Sequence, residues 1–170
     1  KTWSKLLELD PINIDLNEKH LSEHDLIVFA NSYDLELATV KAVNEVESAG
    51  KGYLIDGRPK ILFEGHIFWK QLKKRDINPE TISTDSNGDI LYKKWTRKHY
   101  KGGTGEYIRL EKAASLLADK KVHDAAFASA SWGSFQIMGY HFETLGYESI
   151  DFFVDKMNEH EREHLIAFGK

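Results

Sequence analysis

Residues 42–68 read AVNEVESAGKGYLIDGRPKILFEGHIF, and the pattern of the chain changes twice within this stretch. The first part continues a helical repeat of apolar residues, which Gly50 is expected to end. The middle part contains Gly52 and Asp56-Gly57, residues typical of turns, between short β-prone pieces. A second helical pattern begins at His66. The stretch therefore predicts a helix, then a small hairpin or irregular loop, then another helix.

Most of the remaining chain also has helical spacing. Helices are predicted over residues 22–33, 34–48, 66–76, 105–118, 123–131, 134–146 and 150–168. Ser22 is a good N-cap that Asp25 can support, and Asp34 is the expected cap of the second helix. The polar stretch between 76 and 105 is broken, with Asn87-Gly88 as a hairpin turn. We therefore expect a mainly α domain with one small β excursion.

Composition narrows the classes of protein that the chain can belong to. It has 170 residues, 41% hydrophobic and 29% charged, which suits one domain over residues 1–170 with its own core. A net charge of −4 gives no reason to expect nucleic acid as a partner. The absence of cysteine excludes disulfides, thiolate catalysis and cysteine-ligated metals. No apolar run approaches membrane-span length, so no membrane partner is expected.

The start of the chain bears on its origin. Lys1 is not an initiator methionine, and no signal peptide is visible. We therefore interpret the sequence as a fragment or processed product of a longer protein.

Glu47 is the first candidate catalytic residue. Together with Val40 and Val43 it lies on one apolar helical face, so it is expected to end a buried stripe. Glu45 lies on a more exposed side. A glutamate at the edge of a core loses hydration, which favours the protonated form that a general acid needs. The alternative is a helix-end glutamate that pairs with Lys51 or Arg58.

Glu64 is the second candidate, since it stands among apolar residues before a predicted helix. A carboxylate there either caps the helix, whose N-terminus favours negative charge, or is a second active carboxylate. His66 either orients Glu64 or is an ordinary buried histidine.

Three blocks of the chain resemble the N-acetylmuramidase family, which comprises peptidoglycan-degrading domains of phage endolysins and secreted antibacterial effectors. The blocks are VESAGKGYLIDGRPKILFEGHIF, YKGGTGEYIRLEKAASLL and AAFASASWGSFQIMGY. Their order also resembles the wider lysozyme-like superfamily of goose-type lysozymes and lytic transglycosylases. The resemblance extends from about Ser22 to Phe168 and implies a lysozyme-like helical domain that acts at the bacterial cell wall.

The resemblance also implies roles for individual residues. Glu47 corresponds to the catalytic acid and Ser48 to the residue that follows it, while Glu64 and His66 match the family's Phe-Glu-x-His block. Gly133 matches the family's cleft segment, and the residues that the resemblance implies for substrate binding are Ser48, His66, Tyr107, Ser131, Trp132 and Gln136. In this interpretation the Trp132 ring stacks on a sugar, and the Gln136 amide holds sugar hydroxyl or N-acetyl groups.

The function expected from these features is hydrolysis of the β-1,4 bond from N-acetylmuramic acid to N-acetylglucosamine, with peptidoglycan as partner and no cofactor. The alternatives are a lytic transglycosylase, which needs only Glu47, and a non-catalytic wall-binding module. This interpretation also includes, as additional partners, an immunity protein or a further wall-binding domain of the parent chain.

Two motifs suggest metal sites, and both are discounted. His160–His164 reads HEREH, a match to the zinc-protease pattern, but its polar middle and the lack of a third ligand favour a solvated, charged helix face. Asp85, Asn87 and Asp89 have calcium-loop spacing, but the required glycine and closing glutamate are missing. KGGTGEY, which lacks the full phosphate-loop pattern, is interpreted as a flexible loop that borders the cleft.

Overall fold

The computed structural model of the protein describes residues 19–48 and 52–170. The helices in this part of the chain are α1 (Glu23–Ser32), α2 (Leu37–Ser48), α3 (Gly65–Lys74), α4 (Pro79–Ile82), α5 (Thr104–Ala114), α6 (Lys120–Ala128), α7 (Ile150–Glu159) and α8 (Glu161–Gly169). The strands are β1 (Ile61–Phe63), β2 (Ala130–Trp132) and β3 (Ile137–Met138). The prediction of a mainly α, lysozyme-like domain with a small β excursion is confirmed.

The first helix begins where its capping residues predict. The Ser22 hydroxyl accepts the backbone N–H of Asp25 at 3.2 Å, and the Asp25 carboxylate accepts the backbone N–H of Ser22 at 2.9 Å. The predicted cap of α2 is wrong, because Asp34 has φ +52° in the turn that links α1 to Leu37. The predicted stop of α2 at Gly50 lies outside the described residues.

The small sheet is antiparallel with strand order β1-β2-β3, and it contradicts the helix predicted over 134–146. Ile61 pairs with Trp132 and Phe63 with Ala130, while Ser131 pairs with Met138 on the other side of β2. The left-handed backbone at Gly133 (φ +72°) and Gln136 (φ +50°) closes the turn between β2 and β3. Local spacing favours a helix here, but β3 pairs with β2, which the distant β1 holds on its other side, and this pairing overrides the local preference.

The chain departs from the sequence prediction at two further places. Asn87 does not form a hairpin turn, because its buried amide accepts the Thr84 N–H and donates to the Ile82 carbonyl in a short 3-10 helix. The single helix predicted over 150–168 is divided at His160, whose extended backbone (φ −163°, ψ 149°) separates α7 from α8. The hairpin-like turn before β1 is confirmed by the bridge between Tyr53 and Pro59.

Two apolar clusters hold these elements together. The larger cluster lies between the sheet and α3, α5, α6 and α7, and its fully buried side chains include Phe63, Phe68 and Phe153. The smaller cluster joins α1, α2 and α8 through residues such as Phe29 and Leu165. Within residues 19–48 and 52–170, no helix combines the length and apolar character that crossing a membrane requires.

Candidate active site

An open cleft of about 430 Å³ lies where the end of α2 meets the hairpin before β1, the strand itself and the turn after β2. The residues that line it are Glu47, Leu54, Lys60, Ile61, Leu62, Gly103, Gly133, Ser134 and Gln136. The cleft thus collects residues from four separate parts of the chain. Glu47 is the carboxylate among its lining residues.

The burial predicted for Glu47 is not found. Its side chain is exposed, as is that of Glu45, and only Val40 of the predicted stripe is fully buried. The reason is that α2 packs on α1 through its first half, while its last turn projects beyond the core into the cleft. Ser48, the predicted neighbour in the site, is the last residue of α2. Lys51, an alternative partner of Glu47, lies outside the described residues.

Glu64 lies directly after β1, and its neighbours occupy one of its two oxygens. The Tyr100 hydroxyl donates to Glu64 Oε1 at 2.7 Å. Glu64 Oε2 is buried and accepts no hydrogen bond from the described residues. Although Glu64 occupies the N-cap position of α3, its side chain caps no backbone N–H. Glu64 follows β1 and is not itself among the residues that line the cleft, although Ile61 and Leu62 of the strand are.

His66 is close to Glu64 but is not hydrogen-bonded to it. Its Nδ1 lies 3.3 Å from Glu64 Oε2, in a geometry that does not make a hydrogen bond. Burial lowers the pKa of His66, and the neighbouring Glu64 carboxylate opposes that shift. The imidazole ring is stacked on Tyr92, with ring centroids 6.4 Å apart. His66 therefore lies beside Glu64 as a partly buried neighbour, and its role in orienting the carboxylate stays a prediction.

Tyr100 is a site residue that the sequence analysis missed. Burial is the main cause that raises the pKa of Tyr100 to about 12, and the neighbouring Glu64 carboxylate adds to the shift. The phenol therefore keeps its proton at neutral pH and acts as a hydrogen-bond donor to Glu64. Its position in a polar, irregular stretch gives no periodic signal, so only the contact across the fold identifies it.

A fully buried ion pair, also missed, fixes the loop beside Glu64. The Glu106 carboxylate accepts from Arg109 Nη1 at 2.8 Å and from the backbone N–H groups of Phe63, Lys101 and Gly102 at 3.2, 2.6 and 3.0 Å. Arg109 also donates to the carbonyl of Phe63 at 2.9 Å. The network therefore ties β1 to the glycine loop. This loop borders the cleft through Gly103, as the sequence analysis expected.

The HEREH segment is a solvated helix face only in part, because Arg162 is exposed while Glu161 and His164 are buried beneath the cleft. Glu161 is buried and accepts the backbone N–H groups of Gly52 at 2.8 Å and Leu21 at 3.0 Å. His164, also buried, donates from Nε2 to the Met157 carbonyl at 2.7 Å and accepts the Ser134 N–H at Nδ1. Both imidazole nitrogens are therefore engaged, which leaves none for a metal.

Glycine is required where the cleft wall contacts this support. A Cβ at Gly52 would lie 2.2 Å from Ser134 Oγ, and a Cβ at Gly133 would lie 2.6 Å from His164 Nδ1. Side chains at these two positions would push the cleft wall away from α8. The glycines therefore serve close packing as well as the turns that the sequence predicts.

The cleft segment after α6 places only part of the expected binding residues at the surface. Gln136 is exposed in the cleft, where its Nε2 donates to the Gly133 carbonyl at 2.8 Å. The Ser131 hydroxyl donates to Gln136 Oε1 at 2.8 Å, so it positions Gln136 from a buried site.

Two predicted substrate contacts are wrong. Trp132 is only 1% exposed and its indole N–H donates to the Phe127 carbonyl, so its ring cannot stack on a sugar. Tyr107 is buried, and its hydroxyl donates to the Pro59 carbonyl at 2.9 Å. Both aromatic rings belong to the larger core, because β2 and α5 turn them inward.

Within the described residues, one group of side chains has the spacing of a metal site. The ligand atoms of His123, Asp124 and Asp151 lie within 4.8 Å of one another. Lys120 forms ion pairs with both aspartates and so already balances their charge. The calcium-loop motif is likewise engaged in protein contacts, since Asp89 pairs with Lys112 at 2.6 Å.

Comparisons with known proteins agree with this architecture. A crystal structure of the Burkholderia AP3 phage endolysin matches with a TM-score of 0.79 and 40% sequence identity, covering 89% of this chain and 54% of the endolysin chain. The chain thus spans about half the length of that endolysin. The comparison with curated proteins gave no match. The profile of the N-acetylmuramidase family matches residues 36–170, and the chain therefore belongs to the N-acetylmuramidase family.

Proposed function

We propose that this domain degrades bacterial peptidoglycan as a glycoside hydrolase, cleaving the β-1,4 bond from N-acetylmuramic acid to N-acetylglucosamine. The observation that carries the proposal is the position of Glu47 in an open cleft of about 430 Å³. Family membership and the likeness to a phage endolysin support the same substrate class.

In this mechanism Glu47 is the general acid that protonates the leaving glycosidic oxygen. Because Glu47 is exposed and lines the cleft, a sugar bound there can contact its carboxyl group directly. Gln136, held by Ser131, is placed to contact polar substituents of the sugar. The domain would act at the cell wall and needs no cofactor for this chemistry.

The test of Glu47 is replacement by glutamine, which keeps the shape but has no acidic proton to transfer. Turbidity of purified sacculi should no longer fall with Glu47→Gln, while the melting temperature stays close to that of the parent. Glu45→Gln is the matched control, since Glu45 is also exposed on α2 but does not line the cleft. Full activity of Glu47→Gln would refute the assignment.

Glu64 has the second role in a hydrolase, where it would activate water or stabilise positive charge on the sugar ring. Loss of such a positioned acid/base group costs about 10²–10⁴-fold in rate. Glu64→Gln should therefore lower turnover strongly, and the products of the parent should end in reducing muramic acid.

One observation favours a lytic transglycosylase as the second candidate. Glu64 Oε1 is bonded to Tyr100 and Oε2 is buried, so neither oxygen is freely open to a water molecule. A transglycosylase needs no activated water, because a hydroxyl group of the substrate attacks and forms an anhydro-sugar. Mass spectrometry of the digest separates the two: anhydro ends together with an active Glu64→Gln variant would establish the transglycosylase.

A further inference from the structure

The segment between the short 3-10 helix and α5 carries a concentrated positive charge. Residues 92–101, YKKWTRKHYK, contain five lysines and arginines and no acidic residue, in a chain whose net charge is −4. We call residues 92–101 the basic segment. Such a local excess of one sign attracts oppositely charged ligands.

Both ends of the basic segment are fixed to the turn that carries Glu64. At one end, the Tyr92 hydroxyl accepts the Gly65 N–H at 3.3 Å. At the other end, Tyr100 donates to Glu64. The residues between these anchors therefore form a ledge directly beside the second carboxylate of the site.

Most of the charges on this ledge have no counter-ion. Lys93 pairs with Glu80 at 2.7 Å. In the described part of the chain, no carboxylate lies within ion-pair distance of the other four cations, which are Lys94, Arg97, Lys98 and Lys101. All four side chains are exposed. They are therefore free to pair with carboxylates of a ligand.

An exposed aromatic ring lies on the same ledge. Trp95 is 58% exposed, whereas Trp132 and Trp69 are buried. Trp95 lies close to Tyr100, whose hydroxyl donates to Glu64. The Arg97 guanidinium lies 5.6 Å from the centre of the Trp95 ring. A flat apolar ring with a cation beside it suits a sugar ring that carries an anionic substituent.

We propose that the basic segment is a substrate-binding arm that recognises glycan strands still carrying their peptide stems. Trp95 stacks on a sugar ring beyond Glu64, and Arg97, Lys94 and Lys98 bind the carboxylates of the stem peptide. The proposal rests on peptidoglycan being the substrate, and it makes the stem peptide a determinant of specificity.

Binding is measured separately from cleavage, so that failure of the proposed function and failure of this inference can be distinguished. The assay is co-sedimentation of the Glu47→Gln protein with sacculi freed of lipid and of other anionic polymers. A parent that fails to cleave sacculi but binds them through the arm would contradict only the proposed function.

Charge reversal tests the cations. With Lys94→Glu/Lys98→Glu, the dissociation constant for intact sacculi should rise about 10-fold or more, since attraction becomes repulsion, and 0.5 M salt should abolish most of the difference. The control is Lys74→Glu/Lys121→Glu, which makes the same charge change at exposed lysines outside the segment. An equal loss in the control, or no loss in the test variant, would overturn the proposal.

Removal of the stems tests what the cations bind. Soluble glycan strands that carry their stems are compared with the same strands after treatment with an amidase, which leaves a single lactyl carboxylate per muramic acid, and binding is followed by titration instead of sedimentation. The parent should bind treated strands more weakly, whereas the charge-reversed variant should bind them no more weakly than intact strands, because removal of the stems relieves the repulsion. Trp95→Ala should weaken binding of both substrates, because stacking does not depend on the peptide. Equal binding of intact and treated strands by the parent, or charge-dependent binding of anionic phospholipid vesicles as tight as that of sacculi, would reject the stem peptide as the ligand.

Discussion

The buried Glu106–Arg109 ion pair leads to a quantitative prediction about the stability of the fold beside the candidate site. Glu106 is fully buried and Arg109 is only 2% exposed, so neither charge is balanced by solvent. Glu106→Gln keeps the size of the side chain but removes the negative charge, leaving the guanidinium buried without its counter-ion. Breaking a buried pair in this way costs about 3–5 kcal/mol.

The hydrogen bonds of Glu106 lead to a similar estimate of the unfolding free energy that Glu106→Gln would lose. The Glu106 carboxylate accepts four hydrogen bonds, three of them from backbone N–H groups. An amide has one acceptor oxygen, and its NH₂ group would face the remaining donors. Each unsatisfied buried donor costs about 1–3 kcal/mol. At about 2–4 °C per kcal/mol, Glu106→Gln should lower the melting temperature by about 6–20 °C.

Thermal and urea unfolding followed by circular dichroism would measure this cost. Glu111→Gln is the control on the same helix, since Glu111 is exposed and its contact with Arg58 is long, at 3.7 Å. Its free energy of unfolding should change by less than about 1 kcal/mol. If Glu106→Gln were within about 1 kcal/mol of the parent, the argument from buried charge would be refuted.

A double variant separates charge from hydrogen bonding. Glu106→Met/Arg109→Met removes both charges, which by itself is often neutral for stability. Here it should restore only part of the loss, because the N–H groups of Phe63, Lys101 and Gly102 would still lack an acceptor. Full recovery would show that these backbone bonds contribute little.

Three further results are expected. Burial lowers the pKa of His164 below the ordinary 6.5, so below that pH the unfolded chain binds more protons than the folded chain. Denaturant melts should therefore show stability that is retained above pH 6.5 and lost as the pH falls below it. The structural reason is that a protonated Nδ1 would face the Ser134 N–H. Tyr100→Phe removes the donor to Glu64 Oε1 and should slow a hydrolase by about 10-fold, the equivalent of one charge-assisted hydrogen bond. Steady-state rates that stay at the parent value would favour the transglycosylase. EDTA should leave cleavage unchanged. His160→Ala removes a helix cap, so it should lower the free energy of unfolding by about 0.5–2 kcal/mol without affecting activity. Activity that is lost with EDTA and restored by zinc would indicate a metal role.

Local signals in the sequence predict the helical class, several of the helices and the candidate carboxylates, but not α4, β2 or β3. Apolar spacing and caps are local signals, so α1 begins at the Ser22–Asp25 box as predicted, and α3 and α5 lie where their periodicity placed them. The block that contains Glu47 and Glu64 was recognisable because glycines and carboxylates at fixed spacing are also local. Turn chemistry likewise predicted the hairpin before β1.

Which side chains face the cleft depends on how the elements pack against one another. Trp132 and Tyr107 are candidates for sugar binding by sequence, but pairing of β2 with β1 and packing of α5 turn both into the core. The HEREH motif is polar by composition. Its Glu161 and His164 are nevertheless buried, because long-range hydrogen bonds with Gly52 and Ser134 satisfy their polar atoms. Tyr100 acts through the distant Glu64, and Glu106 joins the distant Phe63 to its own neighbours Lys101, Gly102 and Arg109. Contacts of this kind depend on chain segments brought together by the whole core, and no local pattern encodes them.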